Sequence, residues 1–149
     1  MKKPVLLTAL LAAAVLSGCS WLRLGDASDA AIGQDPSSPR LSVSGGKLKV
    51  SLDPLRFTRK DGAVTITFRL PAGGRYRFDE SAVVFEEVTA RTELRGKPTD
   101  EFKCQPGLLP NEHVCLNYNR REGLYKYTVR ALEDGKPLAP YDPFVHNGP

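Results

Sequence analysis

Methionine occurs once, at Met1, and tryptophan once, at Trp21. So little methionine excludes the adaptable Met-rich surfaces that some promiscuous binders use, and the lone Trp, two residues after Cys19, is not expected in the core. The only two histidines, His113 and His146, have no second ligand at metal spacing, so neither a metal nor another cofactor is expected. No Gly-x-Ser-x-Gly elbow, glycine-rich phosphate loop or Cys-x-x-Cys pair is present. Their absence removes the common signatures of hydrolases, nucleotide binders and thiol redox enzymes. Beyond Cys19, no stretch of about ten residues repeats its apolar side chains at the helical period.

What is present bounds the rest. A length of 149 residues, with 41% hydrophobic and 26% charged side chains, fits one globular domain. The 21 basic against 17 acidic residues give a net charge of +4, short of a dedicated nucleic-acid binder. Thirteen Gly and 12 Pro imply many turns and favour a β-rich fold over a helical bundle. Three cysteines are an odd count, and one of them needs a separate explanation.

Lys2 and Lys3 form a basic start, and an apolar run from Val5 to Leu16 follows. At about 1.5 Å per residue that run falls short of a hydrocarbon core about 30 Å thick, so it reads as a signal-peptide segment. It ends in Leu16-Ser17-Gly18-Cys19, which resembles the lipobox of bacterial lipoproteins. The resemblance implies removal of residues 1–18 and a covalent lipid on Cys19, with the membrane as a partner through that anchor. Ser20, rather than Asp, after the modified Cys implies an outer-membrane lipoprotein facing the periplasm. Loss of Lys2 and Lys3 leaves 19 basic against 17 acidic side chains, a mature charge of +2.

Residues 25–40, GDASDAAIGQDPSSPR, hold small and polar side chains with one large aliphatic, Ile32. Such a segment cannot bury enough surface to order itself, so 19–40 is expected to be a lipidated, flexible tether and 41–149 the domain. From Leu41 the apolar side chains alternate. Val64, Ile66, Phe68 and Leu70 form the clearest half-buried strand. Tyr76 and Phe78, Val83 to Phe85, and Tyr125 to Ala131 continue the pattern. Asp61-Gly62 and Asp134-Gly135 are hairpin-turn signals. The pattern predicts an all-β, antiparallel sandwich of about seven strands.

Gly123-Leu124-Tyr125-Lys126-Tyr127 resembles the Gly-x-Tyr-x-Cys stretch of the immunoglobulin-type strand F. The resemblance implies an immunoglobulin-like sandwich in which the Tyr125 hydroxyl bonds back to the chain. Tyr127 stands where that family has its second Cys, so the family's inter-sheet disulfide does not carry over. Residues 41–149, with Asp142-Pro143-Phe144 near the end, also resemble small uncharacterised lipoproteins of Gram-negative bacteria, a group without an activity to transfer.

With Cys19 acylated, Cys104 and Cys115 form an even pair, expected as a disulfide in an oxidising compartment. The loop they close carries Leu108 and Leu109, expected to pack under the domain, with an exposed recognition tip as the alternative. Arg120 and Arg121 with Tyr118 are candidates for a binding surface toward an envelope protein or glycan. A mature charge of +2 favours instead a solvated face balanced by nearby carboxylates. No catalytic constellation is present, and the oligomeric state is left open. The leading expectation is a non-catalytic binding or structural lipoprotein of the cell envelope. An inhibitor of a host or rival enzyme such as lysozyme, acting through 104–115, and an accessory lipoprotein of a secretion or pilus assembly are the alternatives. A hydrolase of envelope polymers is the least favoured.

Overall fold

The computed structural model describes residues 34–149. The expected signal segment, Cys19 and the part of the expected tether before residue 34 lie outside them. The described residues are mostly β, as the alternation predicts. They form eleven strands in three sheets, however, rather than about seven. In chain order these are β1 (Leu41–Ser44), β2 (Lys47–Val50), β3 (Leu55–Thr58), β4 (Val64–Arg69), β5 (Tyr76–Val88) and β6 (Lys97–Pro98), then β7 (Phe102–Pro106), β8 (Glu112–Asn117), β9 (Gly123–Glu133), β10 (Lys136–Pro137) and β11 (Phe144–Gly148).

The largest sheet runs β3-β11-β9-β5-β6, with β10 added to β9, and a smaller sheet runs β4-β8-β7. β1 and β2 form a separate hairpin, bridged to the small sheet at Arg40–Arg69 and to the β10–β11 connection at Lys47–Ala139. Both of these bridges are parallel, and one strand pairing also departs from the antiparallel expectation. β11 lies parallel to β3, Val145 opposite Leu55 and Asn147 opposite Phe57.

The two Asp-Gly signals part company. Asp134 and Gly135 hold φ of 49° and 80°, the left-handed pair that a tight hairpin requires, and β10 returns on β9. Asp61 instead caps a 3-10 turn, its carboxylate accepting the Thr58 N–H at 2.6 Å and the Thr58 hydroxyl at 3.1 Å. The chain then crosses from the large sheet to the small one, so β3 and β4 are not a hairpin. Tyr76–Phe78 and Val83–Phe85 likewise belong to one strand. Phe78 faces Ala131 and Val83 faces Val129, so the polar stretch 79–81 lies in a bulge of β5.

Aromatic side chains of the two sheets meet face to face. Phe68 of β4 lies 5.4 Å from Tyr127 of β9, and Phe102 of β7 stacks on Phe85 of β5 at 3.9 Å. Leu55, Ile66, Val129 and Val145 complete this buried layer. The domain also begins before Leu41. Pro39 is buried, and Ser37 O accepts the Thr67 N–H at 2.8 Å. The last residues of the stretch read as tether are therefore paired along β4.

Candidate functional site

Cys104 and Cys115 are bonded. The segment between them is a hairpin rather than a loop. Cys104 on β7 faces Cys115 on β8 directly, and the pairs Gln105–Val114 and Pro106–His113 follow toward the tip. The closed turn is tied internally, with Gly107 N–H donating to Glu112 O at 3.0 Å and Glu112 N–H to Leu109 O at 2.9 Å. It is also tied to its neighbour: Leu70 N–H donates to Asn111 O at 3.0 Å, and Asn111 Nδ2 donates to Leu70 O at 2.9 Å. Arg69 pairs with Glu112 at 2.9 Å.

Leu108 and Leu109 do not pack under the domain. They project from the tip with 100% and 55% of their surface exposed. Pro106, Gly107 and Pro110 flank them, and the turn that carries them is bonded to Leu70 and closed by Glu112. A hollow lined by Leu41, Leu70, Pro71 and Asn111 lies at the foot of this tip.

β8 shows why sequence alternation misread the hairpin. Its buried face carries His113, Cys115 and Asn117, while Val114 and Leu116 face outward, half-exposed. The polarity is inverted relative to an ordinary half-buried strand. The same register sets what surrounds His113. Its ring and the sulfurs of Cys104 and Cys115 offer ligand atoms all within 4.8 Å of one another. Burial holds the His113 pKa below its ordinary value. The ring of Phe78 lies 5.4 Å away.

Tyr118, Arg120 and Arg121 do come together, but their charge is already matched. Glu101 is fully buried and accepts the backbone N–H groups of Arg120 and Arg121. Its Oε2 lies 3.2 Å from Arg121 Nε and 3.7 Å from Arg120 Nε. Asp100 adds a contact of 2.5 Å to Arg121. The Arg120 guanidinium lies 4.6 Å from the Tyr118 ring centroid. The hydrogen bond that Arg121 donates to Glu101 raises the Arg121 pKa, with Asp100 adding to it. Elsewhere Lys126 faces Glu86 at 3.4 Å, and Arg75 meets Glu133 at 2.8 Å. These cations are lodged in ion pairs rather than displayed as a phosphate-binding field. Glu101 had no local signal, because its partners lie about twenty residues on in sequence.

Tyr125 donates its hydroxyl to Arg121 O at 3.4 Å. Gly123 makes room for the ring: a Cβ there would lie 3.2 Å from the Tyr125 hydroxyl oxygen. Among the described residues no helix is long and apolar enough to cross a membrane. Comparison with protein-family models and with curated proteins finds no match to this chain.

Proposed function

We propose that this chain is a non-catalytic binding lipoprotein of the bacterial cell envelope, held in the outer membrane by lipid on Cys19 and facing the periplasm. The domain would be an immunoglobulin-like sandwich, a reading supported by the two facing sheets and by the Tyr125 hydroxyl bonded four residues back. One observation carries the functional part: two leucines exposed at the tip of a disulfide-stapled, internally bonded hairpin. Exposing apolar side chains to water has no folding benefit, and exposed apolar anchors on a backbone-bonded turn are what a partner's pocket takes up. The partner class is a protein with an apolar cleft, because the ion-paired arginines leave little charge for an anionic glycan.

The direction of the chain agrees with display away from an anchor. Ser37 pairs at Thr67 and Arg40 at Arg69, so the N-terminal segment runs along β4 toward the tip and enters from the other end. The six residues of β4 amount to about 20 Å of strand. The same projecting hairpin favours, as a second reading, an inhibitor that inserts the tip into the cleft of an enzyme such as lysozyme.

The test is affinity capture from native envelopes with the acylated protein, read by mass spectrometry, alongside a Leu108→Asp/Leu109→Asp variant. A partner recovered by the parent and lost by the variant is the expected outcome. Equal recovery by both removes the tip as the site, and reproducible failure to recover any partner removes the binding role. Lysozyme inhibition by the parent but not the variant selects the second reading.

A further inference from the structure

We propose that reduction of the Cys104–Cys115 disulfide opens a binding site for one thiophilic metal ion, monovalent copper or zinc, ligated by both sulfurs and a ring nitrogen of His113. Three observations carry it. The three side chains already present their ligand atoms within 4.8 Å of one another. Strand register, rather than a flexible loop, holds them there: His113 and Cys115 are two apart on β8 and share its buried face, and Cys104 faces Cys115 across the hairpin. The His113 ring is buried and has no hydrogen-bond partner among the described residues, so its nitrogens are uncommitted.

The donor set of two thiolates and one imidazole is the soft combination that selects copper(I) and zinc over magnesium or calcium. Formation needs a dithiol reductant. Two electrons from the dithiol break the Cys104–Cys115 bond, the reductant becomes a disulfide, and its two protons pass to the two cysteine sulfurs. Metal binding then releases those two protons as two metal–sulfur bonds form, while the His113 lone pair supplies the third bond. Cys104 is only half-buried, which leaves an approach from solvent. The metal would replace the covalent staple between β7 and β8 and keep the Leu108–Leu109 tip presented in the reduced chain. This site does not rest on the binding role proposed above.

The experiment uses the full chain in detergent, reduced anaerobically with a dithiol, desalted, and titrated separately with Cu⁺ and Zn²⁺ against a chromophoric chelator. One equivalent of at least one of these ions is expected to bind the reduced chain, with a thiolate-to-metal absorption band. The oxidised chain should take up none. Cys104→Ser should abolish binding, and His113→Ala should weaken it at least about tenfold while leaving the oxidised fold unchanged by circular dichroism. Three results overturn the proposal: no binding of either ion beyond that of a Cys104→Ser/Cys115→Ser chain, an affinity unmoved by His113→Ala, or loss of the β-type spectrum on reduction.

Discussion

Asn117 on β8 and Asn147 on β11 exchange two side-chain hydrogen bonds, each Nδ2 donating to the other's Oδ1, at 2.8 and 3.1 Å. Both residues are buried, and they belong to different sheets. Asn117 Oδ1 also accepts the Asn119 N–H at 2.9 Å. One amide pair thus satisfies polar groups inside the core and sets how the small sheet sits on the large one. A buried amide that loses its partner bears the full desolvation cost, about 1–3 kcal/mol. Asn147→Leu is therefore expected to destabilise by about that much. Asn117→Leu should cost more, because the Asn119 N–H is orphaned as well. In the double variant the two losses should sum to less than additive, as no unpaired amide remains across the sheets. Urea midpoints for the four-member cycle check this, and strict additivity would show that the pair is uncoupled.

Glu101 anchors the connection between β8 and β9 by accepting from Arg120 and Arg121 at once. Glu101→Gln keeps the shape and removes the charge. Its expected cost is roughly 2 kcal/mol, the scale of hydrogen bonds to a charged acceptor. Arg121→Ala should cost less, since that side chain is half-exposed and water screens its pairing. Denaturant unfolding of the two variants side by side gives the order, and the reverse order would count against the network as described.

Reduction of the Cys104–Cys115 bond should lower stability by about 3 kcal/mol, the loop-closure value for a ring of this size. The β-hairpin register supplies the remaining hold on β7 and β8, so the domain should still fold. Thermal melts with and without a dithiol read the difference, and an unchanged midpoint would refute the contribution.

Tyrosine burial is expected to limit stability at alkaline pH, that of Tyr127 most of all. Burial raises the Tyr127 pKa well above the ordinary phenol value, with Asp53 and Tyr141 adding to it, and burial likewise raises that of Tyr125. The unfolded chain ionises these phenols near about pH 10. Folded-state pKa values above that mean stability is full below about pH 10 and falls as the pH rises toward the folded values. Tyr127→Phe removes a buried hydroxyl that has no hydrogen-bond partner among the described residues. It should be near neutral at pH 7 and should flatten the alkaline loss. Urea midpoints at about pH 8 and about pH 11 decide this, with an unflattened slope in Tyr127→Phe as the contrary result.

The legible parts of the fold were those where side-chain period and burial agree. Ile66 and Phe68, and Tyr125, Tyr127 and Val129, alternate in sequence and are buried in the structure. Asp134-Gly135 closed its hairpin because left-handed backbone is a local demand. Asp61-Gly62 carried the same signal and made a sheet-to-sheet crossing, since the Asp61 side chain bonded to Thr58 instead. β8 is not legible from period because its inward face carries His113, Cys115 and Asn117, whose partners are a cysteine on β7, an asparagine on β11 and an aromatic ring on β5.

For the candidate site the division is similar. Setting Cys19 aside on the lipobox resemblance leaves Cys104 and Cys115 as a pair, and the near balance of basic and acidic residues argues against a polyanion surface. Neither reading says which way a side chain points. That Leu108 and Leu109 face solvent follows from a turn bonded to Leu70 and Glu112. That Arg120 and Arg121 are neutralised follows from a carboxylate buried beneath them. That His113 meets two sulfurs follows from strand register. By itself the sequence determined the β class and made Cys104 and Cys115 candidates for a pair, because these depend on residue type and short-range period. Tertiary structure alone decided which apolar residues were left outside and which polar ones were taken in, because burial is settled by what lies opposite in space.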